Sequence, residues 1–575
     1  MSARRGVFVF LLLLVLLGAA AVFAALTLRH PLESVPESSV LVFDVPEYLE
    51  EGEAPESPYA VDWFRPSRPL LWKAAFGLRQ AAEDDHIAAL VLHVGPVDWG
   101  WAKINEVRDA IEAFRQSGKP VYASFSGGGE REYLLASSAD LISAPPLTVL
   151  QLDGLTASAL FLRGTFDKLD VNPNFAQAGT YKSGAEGYTR RDMSPPAREA
   201  LQALVDDLYE SLVDTLAVAR DLPRDTVVAL LDQGPYDAPE AWAQGLIDTV
   251  LYEAELDSLA TEEVSDSDHT ISLWRYADRM RHPPAHSRFA MVVASGTISE
   301  GKSRGAPGDE EILGSETLVD ALDEVRERKS VKAVILRVDS PGGSAPASDE
   351  MWRAVERLRA EKPVVISMSD YAASGGYYLS VAASSIVAQP STITGSIGVY
   401  GGKLNVLGLY HKVGLNVETV SRGKHAEMLS PFKDFSPEES EQFKNSMLHV
   451  YQTFVDRVAE GREMKDEEVE RVAQGRVWSG VAAAQNGLVD ELGGIEKAVS
   501  VAKKLAGVPA DENVAVEIYP KVEKSFLQRI FSEMFSDDWE ESALRLAPGL
   551  SSFLAAASLP TGVALTWLPY RIDIR

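Results

Sequence analysis

The polar and apolar positions along this chain predict an α/β fold in which buried strands alternate with amphipathic helices. Short apolar runs that predict buried strands occur at residues 40–43, 89–92, 290–293 and 333–336. The stretches 104–117 and 348–360 have helical spacing, and each leads into a strand-like run that follows a Lys-Pro pair. Strands that alternate with helical patterns of about 10–15 residues are typical of crossover units, which build a parallel sheet with helices on its faces.

The same succession occurs twice, which indicates a tandem duplication. Residues 119–126 (Lys-Pro-Val-Tyr-Ala-Ser-Phe-Ser) correspond to residues 362–369 (Lys-Pro-Val-Val-Ile-Ser-Met-Ser). Further pairs of matching segments are 168–172 with 412–416, and 244–248 with 486–490. We predict an N-terminal segment at 1–30, copy one at 38–255, a linker at 256–286, copy two at 287–506 and an extension at 507–575.

The N-terminal segment has the pattern of a membrane anchor. Arg4 and Arg5 precede an apolar run from residue 6 to residue 28, which is long enough to cross a bilayer as a helix. Basic residues on the leading side predict that this end stays in the cytoplasm and that the rest is exported. A cleaved signal peptide is the alternative, since residues 18–25 offer small residues to a processing enzyme, but the run exceeds the usual apolar core of about 7–15 residues. A second apolar stretch, 550–568, is broken by proline and glycine, so packing or assembly is expected of it.

Composition narrows the possible functions. The formal net charge of −29 over 575 residues argues against a nucleic-acid partner, because a phosphate backbone requires a concentrated basic surface. The chain has no cysteine, so thiol nucleophiles, disulfides and thiolate metal sites are excluded. The apolar fraction of 46% is sufficient for two full cores.

The two copies differ where chemistry is expected. Residues 372–376 of copy two read Ala-Ala-Ser-Gly-Gly, whereas the matching residues 127–131 of copy one read Gly-Gly-Gly-Glu-Arg. Residues 180–183 of copy one read Thr-Tyr-Lys-Ser, whereas the same register of copy two, 424–427, reads Lys-His-Ala-Glu. A serine survives in one copy and a lysine in the other. The pattern therefore predicts one site assembled from both copies.

Ser374 lies where a nucleophile is expected in such a fold. It follows a predicted strand and opens a helical stretch, at the carboxyl ends of the strands, where open parallel sheets hold their sites. One strand earlier, residues 339–344 contain a Gly-Gly pair whose amides can approach a substrate carbonyl closely. We predict that the N–H groups of Gly343 and Gly375 form an oxyanion hole, in which each donor is worth about 2.7–4 kcal/mol. The matching loop of copy one, 95–101, has no such pair.

Lys182 is the predicted base that activates the serine. A lysine can do so only if its pKa falls from about 10.4 towards neutrality, and a fall of about three units costs about 4 kcal/mol. The small, uncharged neighbours in residues 178–185 are compatible with the desolvated pocket that this requires. Ser396 offers a hydroxyl that can orient the neutral amine. The serine and glycine loops contain no histidine, but His411 and His425 stay open as alternatives that approach through space.

Four motifs together resemble the long bacterial form of the signal peptide peptidase A family, also called protease IV. They are residues 339–343, 372–377, 390–398 and 179–183. The resemblance extends over nearly the whole chain and includes the anchor and the duplication. It implies a duplicated fold related to Clp protease and crotonase. By motif position it implies that Ser374 is the nucleophile, Lys182 the general base and Ser396 the hydroxyl that coordinates the lysine.

The resemblance also implies a location and a substrate. It implies a ring-like homotetramer that sits like a dome on the outer face of the cytoplasmic membrane and degrades signal peptides left after secretion. We therefore expect a single-pass membrane protein whose two copies lie on the outer, periplasmic side. Its substrates are expected to be small or hydrophobic peptides, with no cofactor and no metal ion.

Two other functions stay open from the residues alone. A crotonase-type acyl-CoA enzyme would use a similar oxyanion hole, but it would need an acidic pair and a nucleotide pocket, and it gives Ser374 no role. An inert, membrane-anchored scaffold would follow if both copies were degenerate. Residues 296–303 (Gly-Thr-Ile-Ser-Glu-Gly-Lys-Ser) fit the phosphate-loop pattern, yet loop-forming residues follow them, so a mobile surface loop near the site is expected rather than ATP binding.

Overall fold

A computed structural model describes residues 35–53, 68–264, 269–279, 285–305, 311–521, 565–567 and 574. The predicted anchor at 1–30 lies outside these residues. Across the described ranges, no helix is both long and apolar enough to cross a membrane. The fold is α/β, as the apolar pattern predicts.

Copy one is built on a parallel sheet with helices packed against it. Its strands are β1 (Ser39–Asp44), β2 (Ile87–Val94), β3 (Val121–Phe125), β4 (Leu141–Ser143), β5 (Val149–Leu150), β6 (Asn172–Ala178), β7 (Tyr236–Asp237) and β8 (Thr270–Ser272). Its helices are α1 (Leu71–Glu83), α2 (Trp101–Gln116), α3 (Glu130–Ala136), α4 (Arg163–Leu169), α5 (Glu186–Thr189), α6 (Pro195–Ala219), α7 (Arg224–Leu231), α8 (Ala238–Ala243), α9 (Glu253–Val264) and α10 (Leu273–Arg279). The sheet has the order β4-β3-β2-β1-β8, and its neighbouring strands run parallel.

Copy two repeats this arrangement with a larger sheet. Its strands are β9 (Ser287–Ser295), β10 (Thr297–Ser299), β11 (Arg304–Gly305), β12 (Glu311–Gly314), β13 (Val331–Ser340), β14 (Gly342–Ser344), β15 (Val364–Ala373), β16 (Ser385–Ala388), β17 (Ile393–Gly395), β18 (Val399–Asn405), β19 (Val477–Ser479), β20 (Glu491–Leu492), β21 (Val514–Tyr519) and β22 (Leu565–Trp567). Its helices are α11 (Ser315–Glu327), α12 (Ala345–Arg359), α13 (Gly375–Ser380), α14 (Leu407–Lys412), α15 (Pro437–Arg462), α16 (Asp466–Val472), α17 (Gly480–Gln485) and α18 (Ile495–Ala506). The main sheet has the order β19-β17-β15-β13-β9-β21.

The apolar spacing explains why these segments form their elements. Strands β2 and β13 are buried along nearly their whole length, as expected of parallel strands covered on both faces. Helix α2 buries Ile104, Val107, Ile111 and Phe114, which recur at steps of three and four residues and therefore share one face.

The duplication is also visible in individual contacts. The Tyr133 hydroxyl donates to the Leu246 carbonyl in copy one, and the Tyr377 hydroxyl donates to the Leu488 carbonyl in copy two. Each copy also has an arginine–aspartate ion pair at the matching position: they are Arg220–Asp248 and Arg462–Asp490. These matching contacts confirm the tandem duplication at the level of side chains.

A third sheet joins the two copies. Its order is β11-β12-β10-β14-β22-β18-β6. Strand β6 comes from copy one and pairs antiparallel with β18 of copy two, from Asn172 opposite Asn405 to Ala178 opposite Val399. This pairing carries the segment that follows β6 into copy two.

The segments predicted as linker and extension contribute to the sheets. Within 256–286, strand β8 pairs with β1, and α10 packs on α1. Within 507–575, strand β21 pairs with β9. Each of these edge strands pairs with a strand that is distant in the sequence, so the local pattern of the linker or of the extension does not reveal the pairing. The phosphate-loop-like residues 296–303 form β10 and a turn that leads into strand β11, not into a helix.

Candidate active site

Ser374 occupies the corner between β15 and α13. Its backbone has φ 54° and ψ −112°, a left-handed conformation that is strained for a residue with a Cβ atom. The Ser374 N–H donates to the Gly395 carbonyl at 2.8 Å, and the Ser374 carbonyl accepts from the Tyr378 N–H at 2.8 Å. The side chain is buried. Strand β17 and helix α13 thus fix the serine at the carboxyl end of β15.

Lys182 reaches this serine from copy one. It lies shortly after β6, the strand that joins the sheet of copy two. Its Nζ is 2.7 Å from Ser374 Oγ, and 2.9 Å from both the carbonyl oxygen and the Oγ of Ser396. A neutral amine has two N–H donors and one lone pair, which fit two donations to Ser396 and one acceptance from the Ser374 hydroxyl. The structure therefore brings together the three side chains that the sequence singles out.

Burial favours the neutral form of the Lys182 amine. The side chain has 0% exposure, and this burial lowers its pKa well below the ordinary value of 10.5. Its polar partners are two hydroxyls and a carbonyl, which carry no full negative charge that would favour the ammonium form. The site thus holds a lysine whose neutral form is accessible far below the usual pH.

A turn of copy two, residues 474–476, supports both Lys182 and Ser396. The Ser396 N–H donates to the Arg476 carbonyl at 2.8 Å. A Cβ added to Gly475 would lie 2.5 Å from the Cβ of Lys182. Sequence reasoning missed this turn, because its residues carry no chemistry of their own. Its Gln-Gly pair gives only the ordinary signal of a turn.

The predicted oxyanion loop lies beside Ser374. Strand β14, which contains Gly343, packs against α13, which begins at Gly375. A Cβ at Gly343 would collide with a carbonyl of β10, and a Cβ at Gly376 would lie 2.7 Å from the Ser340 carbonyl oxygen. Only glycine permits these approaches of backbone to backbone. The loop is therefore held at the same end of the sheet as the serine.

In copy one, two glutamates occupy the strand-to-helix corner that corresponds to the corner of Ser374. Glu130 accepts from the N–H groups of Asp153 and Gly154 at 2.9 and 2.7 Å, and Glu132 accepts from the Gly129 N–H at 2.9 Å. Both carboxylates are buried. Backbone amides at this corner are thus already bound to protein carboxylates. Sequence reasoning noted the lost serine but missed the role of the glutamates.

An extended segment of the chain itself lies between β14 and β18. Strand β22 pairs antiparallel with β14, where Thr566 lies opposite Gly343, and also with β18, where Leu565 lies opposite Tyr400. It belongs to the apolar stretch 550–568, most of which lies outside the described residues. The edges of β14 and β18 thus accommodate a peptide backbone between them.

The two histidine alternatives have other surroundings. The nitrogens of His425 lie 3.7 Å from the carboxylates of Glu438 and Glu439. His411 lies in α14. The described hydrogen-bonding partner of the Ser374 hydroxyl is Lys182.

We predict that replacing Lys182 by methionine changes how stability depends on pH. The unfolded chain keeps a proton on Lys182 up to about pH 10.4, whereas the folded chain releases it at its lowered pKa. The unfolded state therefore binds more protons between these two pKa values, and the stability of the native protein rises with pH across that window. Methionine removes this dependence. We compare the unfolding free energy of Lys182→Met with that of the native protein. The variant's value minus the native value should fall by about 1.4 kcal/mol per pH unit between the folded-state and unfolded-state pKa values of Lys182.

Urea unfolding at a series of pH values measures this difference. A difference that stays constant between about pH 6 and about pH 9 would show that the buried amine is not neutral in the folded state.

Comparison with known proteins gives the family. The sequence profile of Peptidase family S49 matches residues 113–265 and 356–509, once in each copy. Serine protease SPPA, chloroplastic, of Arabidopsis thaliana is 38% identical over 447 residues, which are 76% of this chain and 66% of that protein. Protease 4 of Salmonella typhi is 33% identical over 75% of this chain and 71% of that protein. Protease 4 of Haemophilus influenzae is 32% identical over 81% of this chain and 78% of that protein.

Among solved structures, a mutant of ClpP1 from Listeria monocytogenes matches at 14% identity with a TM-score of 0.24, over 36% of this chain and 91% of that chain. A TM-score of 0.24 does not establish a shared fold, so the relation to the Clp and crotonase folds stays a prediction. The S49 profile, in contrast, matches one segment in each copy, and the three proteases match most of the chain. The chain is therefore a serine peptidase of Peptidase family S49.

Proposed function

We propose that this peptidase is a membrane-anchored endopeptidase that uses a Ser374/Lys182 dyad to degrade signal peptides. The observation that carries the proposal is the 2.7 Å contact between Lys182 Nζ and Ser374 Oγ in a buried pocket. A serine hydroxyl becomes a nucleophile only beside a base, and a desolvated lysine is such a base. The lowered pKa of Lys182 supports this role.

The dyad would work in two half-reactions. Ser374 Oγ attacks the peptide carbonyl while Lys182 takes the hydroxyl proton, and the N–H groups of Gly343 and Gly375 donate to the oxyanion. The C–N bond then breaks, and the Lys182 ammonium gives its proton to the leaving amine, which leaves an acyl-enzyme. Lys182 next takes a proton from water as the water attacks the acyl carbon. The bond between that carbon and Ser374 Oγ then breaks, Lys182 returns the proton to Oγ, and the peptide leaves with a new carboxyl terminus. The hydrogen bonds to Ser396 orient the amine throughout.

The substrate would bind as an extended strand. The pairing of β22 between β14 and β18 supports this, since a peptide in the same place would form main-chain hydrogen bonds that do not depend on its sequence. Leftover signal peptides, which have small and apolar side chains, are the substrates that the resemblance to the signal peptide peptidase A family favours.

The proposed location and assembly rest on the sequence. The apolar run at residues 6–28, preceded by Arg4 and Arg5, supports a single anchor in the cytoplasmic membrane with both copies on the outer side. The homotetramer comes from the family resemblance alone.

We predict that Lys182→Ala lowers kcat about 10²- to 10⁴-fold, because it removes the general base. Hydrolysis of a signal-peptide substrate measures turnover. A fluorophosphonate probe reports labelling of Ser374 in the native protein, and Ser374→Ala is the unlabelled control. Full activity of Lys182→Ala in a folded protein would refute the dyad. A native protein that the probe never labels would favour the inert scaffold, and acyl-CoA turnover without labelling would favour the crotonase-type enzyme.

We also predict that Gly475→Ala lowers kcat/KM about 10²-fold, because the new Cβ would push Lys182 away from Ser374, and misplacement by about 1 Å has effects of that size. Gly118→Ala is the matched control. Gly118 has φ 87°, close to the 81° of Gly475, but a Cβ there meets nothing within 4 Å. Both variants thus carry a similar backbone penalty. Equal activities of the two folded variants would contradict the support that the 474–476 turn gives to Lys182.

A further inference from the structure

The two strands that carry the candidate active site end against one helix of the other copy. Strand β13 leads through Asp339 into the glycine loop, and β15 leads through Asp370 to Ser374. Both carboxylates point to the first turn of α2 in copy one. The Lys103 ammonium lies 3.0 Å from Asp339, and the Asp370 carboxylate accepts from the Lys103 N–H at 3.1 Å.

Asp370 caps α2 from outside its own copy. Its carboxylate also accepts from the N–H groups of Gly100 and Ala102, at 3.0 and 2.9 Å. Helix α2 has no capping side chain of its own, because its N-cap residue is Gly100. A Cβ at this glycine would collide with the Asp370 carboxylate. The first turn of α2 is therefore fixed against β15, four residues before Ser374.

Asp339 connects the two catalytic strands. One of its oxygens accepts from the Tyr371 N–H in β15 at 3.1 Å, and the other contacts Lys103. The parallel register of β13 and β15 shifts at this point, between Val338 and Ser340. The Asp339 side chain thus bridges the irregular step from which the glycine loop departs.

Lys103 supplies positive charge to an acidic, buried region. Its side chain is 10% exposed, and its ammonium also donates to the Leu49 carbonyl at 3.3 Å. Burial raises the pKa of Asp370 to about 6, and the charge of Lys103 opposes that rise. Without Lys103, the carboxylates of Asp339 and Asp370 would lose a counter-charge, which in a buried setting favours rearrangement or protonation.

The pair is divided between the copies in the same way as the serine and the lysine. Helices α2 and α12 begin at Trp101 and Ala345. At the offset that relates these two starts, Lys103 corresponds to Ala347, and Asp339 corresponds to Gly95. Copy one thus holds the lysine without the aspartate, and copy two holds the aspartate without the lysine. Each side chain can find its partner only across the interface.

We propose that Lys103 is a positioning residue of the active site, whose ammonium holds Asp339 and thereby fixes the glycine loop relative to Ser374. The inference rests on the proposed dyad. It assigns Lys103 no contact with the substrate. Its loss should affect the step in which the oxyanion forms more than the binding of peptide.

The test compares Lys103→Met, Lys103→Arg, Asp339→Asn and the double variant Lys103→Met/Asp339→Asn in the full chain. We expect kcat to fall about 10- to 100-fold in Lys103→Met, with KM changed less than about twofold. Lys103→Arg should recover most of the rate, since it keeps the charge. The double variant should be no slower than the slower single variant, because both changes break the same contact. The rate of Ser374 labelling by a fluorophosphonate probe should follow kcat.

Arg220→Met is the control for mere loss of stability. Arg220, whose side chain is 9% exposed, also forms an ion pair, with Asp248, but within copy one. It should lower the unfolding temperature and leave kcat unchanged at temperatures where the protein is folded. If Lys103→Met does not fold, the double variant, which leaves no unpaired charge from this pair, carries the test.

Three outcomes would overturn the proposal. The first is native kcat in folded Lys103→Met or in the folded double variant. The second is a rate loss in the double variant that equals the sum of the two single losses in free energy, and the third is a Lys103→Arg variant as slow as Lys103→Met. These outcomes differ from failure of the proposed function, in which Lys182→Ala would keep full activity or the native protein would not be labelled at Ser374.

Discussion

The burial of one amine, that of Lys182, is the constraint on which the rest of this structure depends. Lys182 could take a proton from Ser374 only if its pKa is lowered by burial, and its hydrogen-bonding partners in the described part of the chain are hydroxyls and a carbonyl rather than a carboxylate. The amine must also arrive from outside the domain that carries the serine. The pairing of β6 with β18 delivers it, and the close packing of Gly475 holds it there.

This constraint explains why the two copies differ at the site. Two identical copies would each need a full site, but here copy one has filled its own corner with Glu130 and Glu132. Copy two has no lysine in the register of Lys182. Strand pairing and buried ion pairs join the two copies, so the proposed dyad depends on the interface between them. The proposed role of Lys103 extends the same division to the glycine loop.

Much of this arrangement could be predicted from the sequence, because it depends on local patterns. The α/β fold and the duplication follow from apolar periodicity and repeated segments, and the complementary loss of serine and lysine singled out Ser374 and Lys182. The remainder depends on contacts between distant segments. The pairing of β22 with β14, the insertion of β8 beside β1 and the contact of Lys103 with Asp339 leave no local signal, since each partner alone resembles an ordinary strand or surface residue.

The most direct test of Lys182 as the base of Ser374 is the titration of its amine in the folded protein. Lysine labelled with ¹³C at Cε gives a resonance whose shift follows protonation, and its absence from Lys182→Met assigns it. We predict a midpoint well below 10.5, with the amine becoming neutral as the pH rises through it. A midpoint at or above 10.5 would contradict the claim that Lys182 is the base of Ser374.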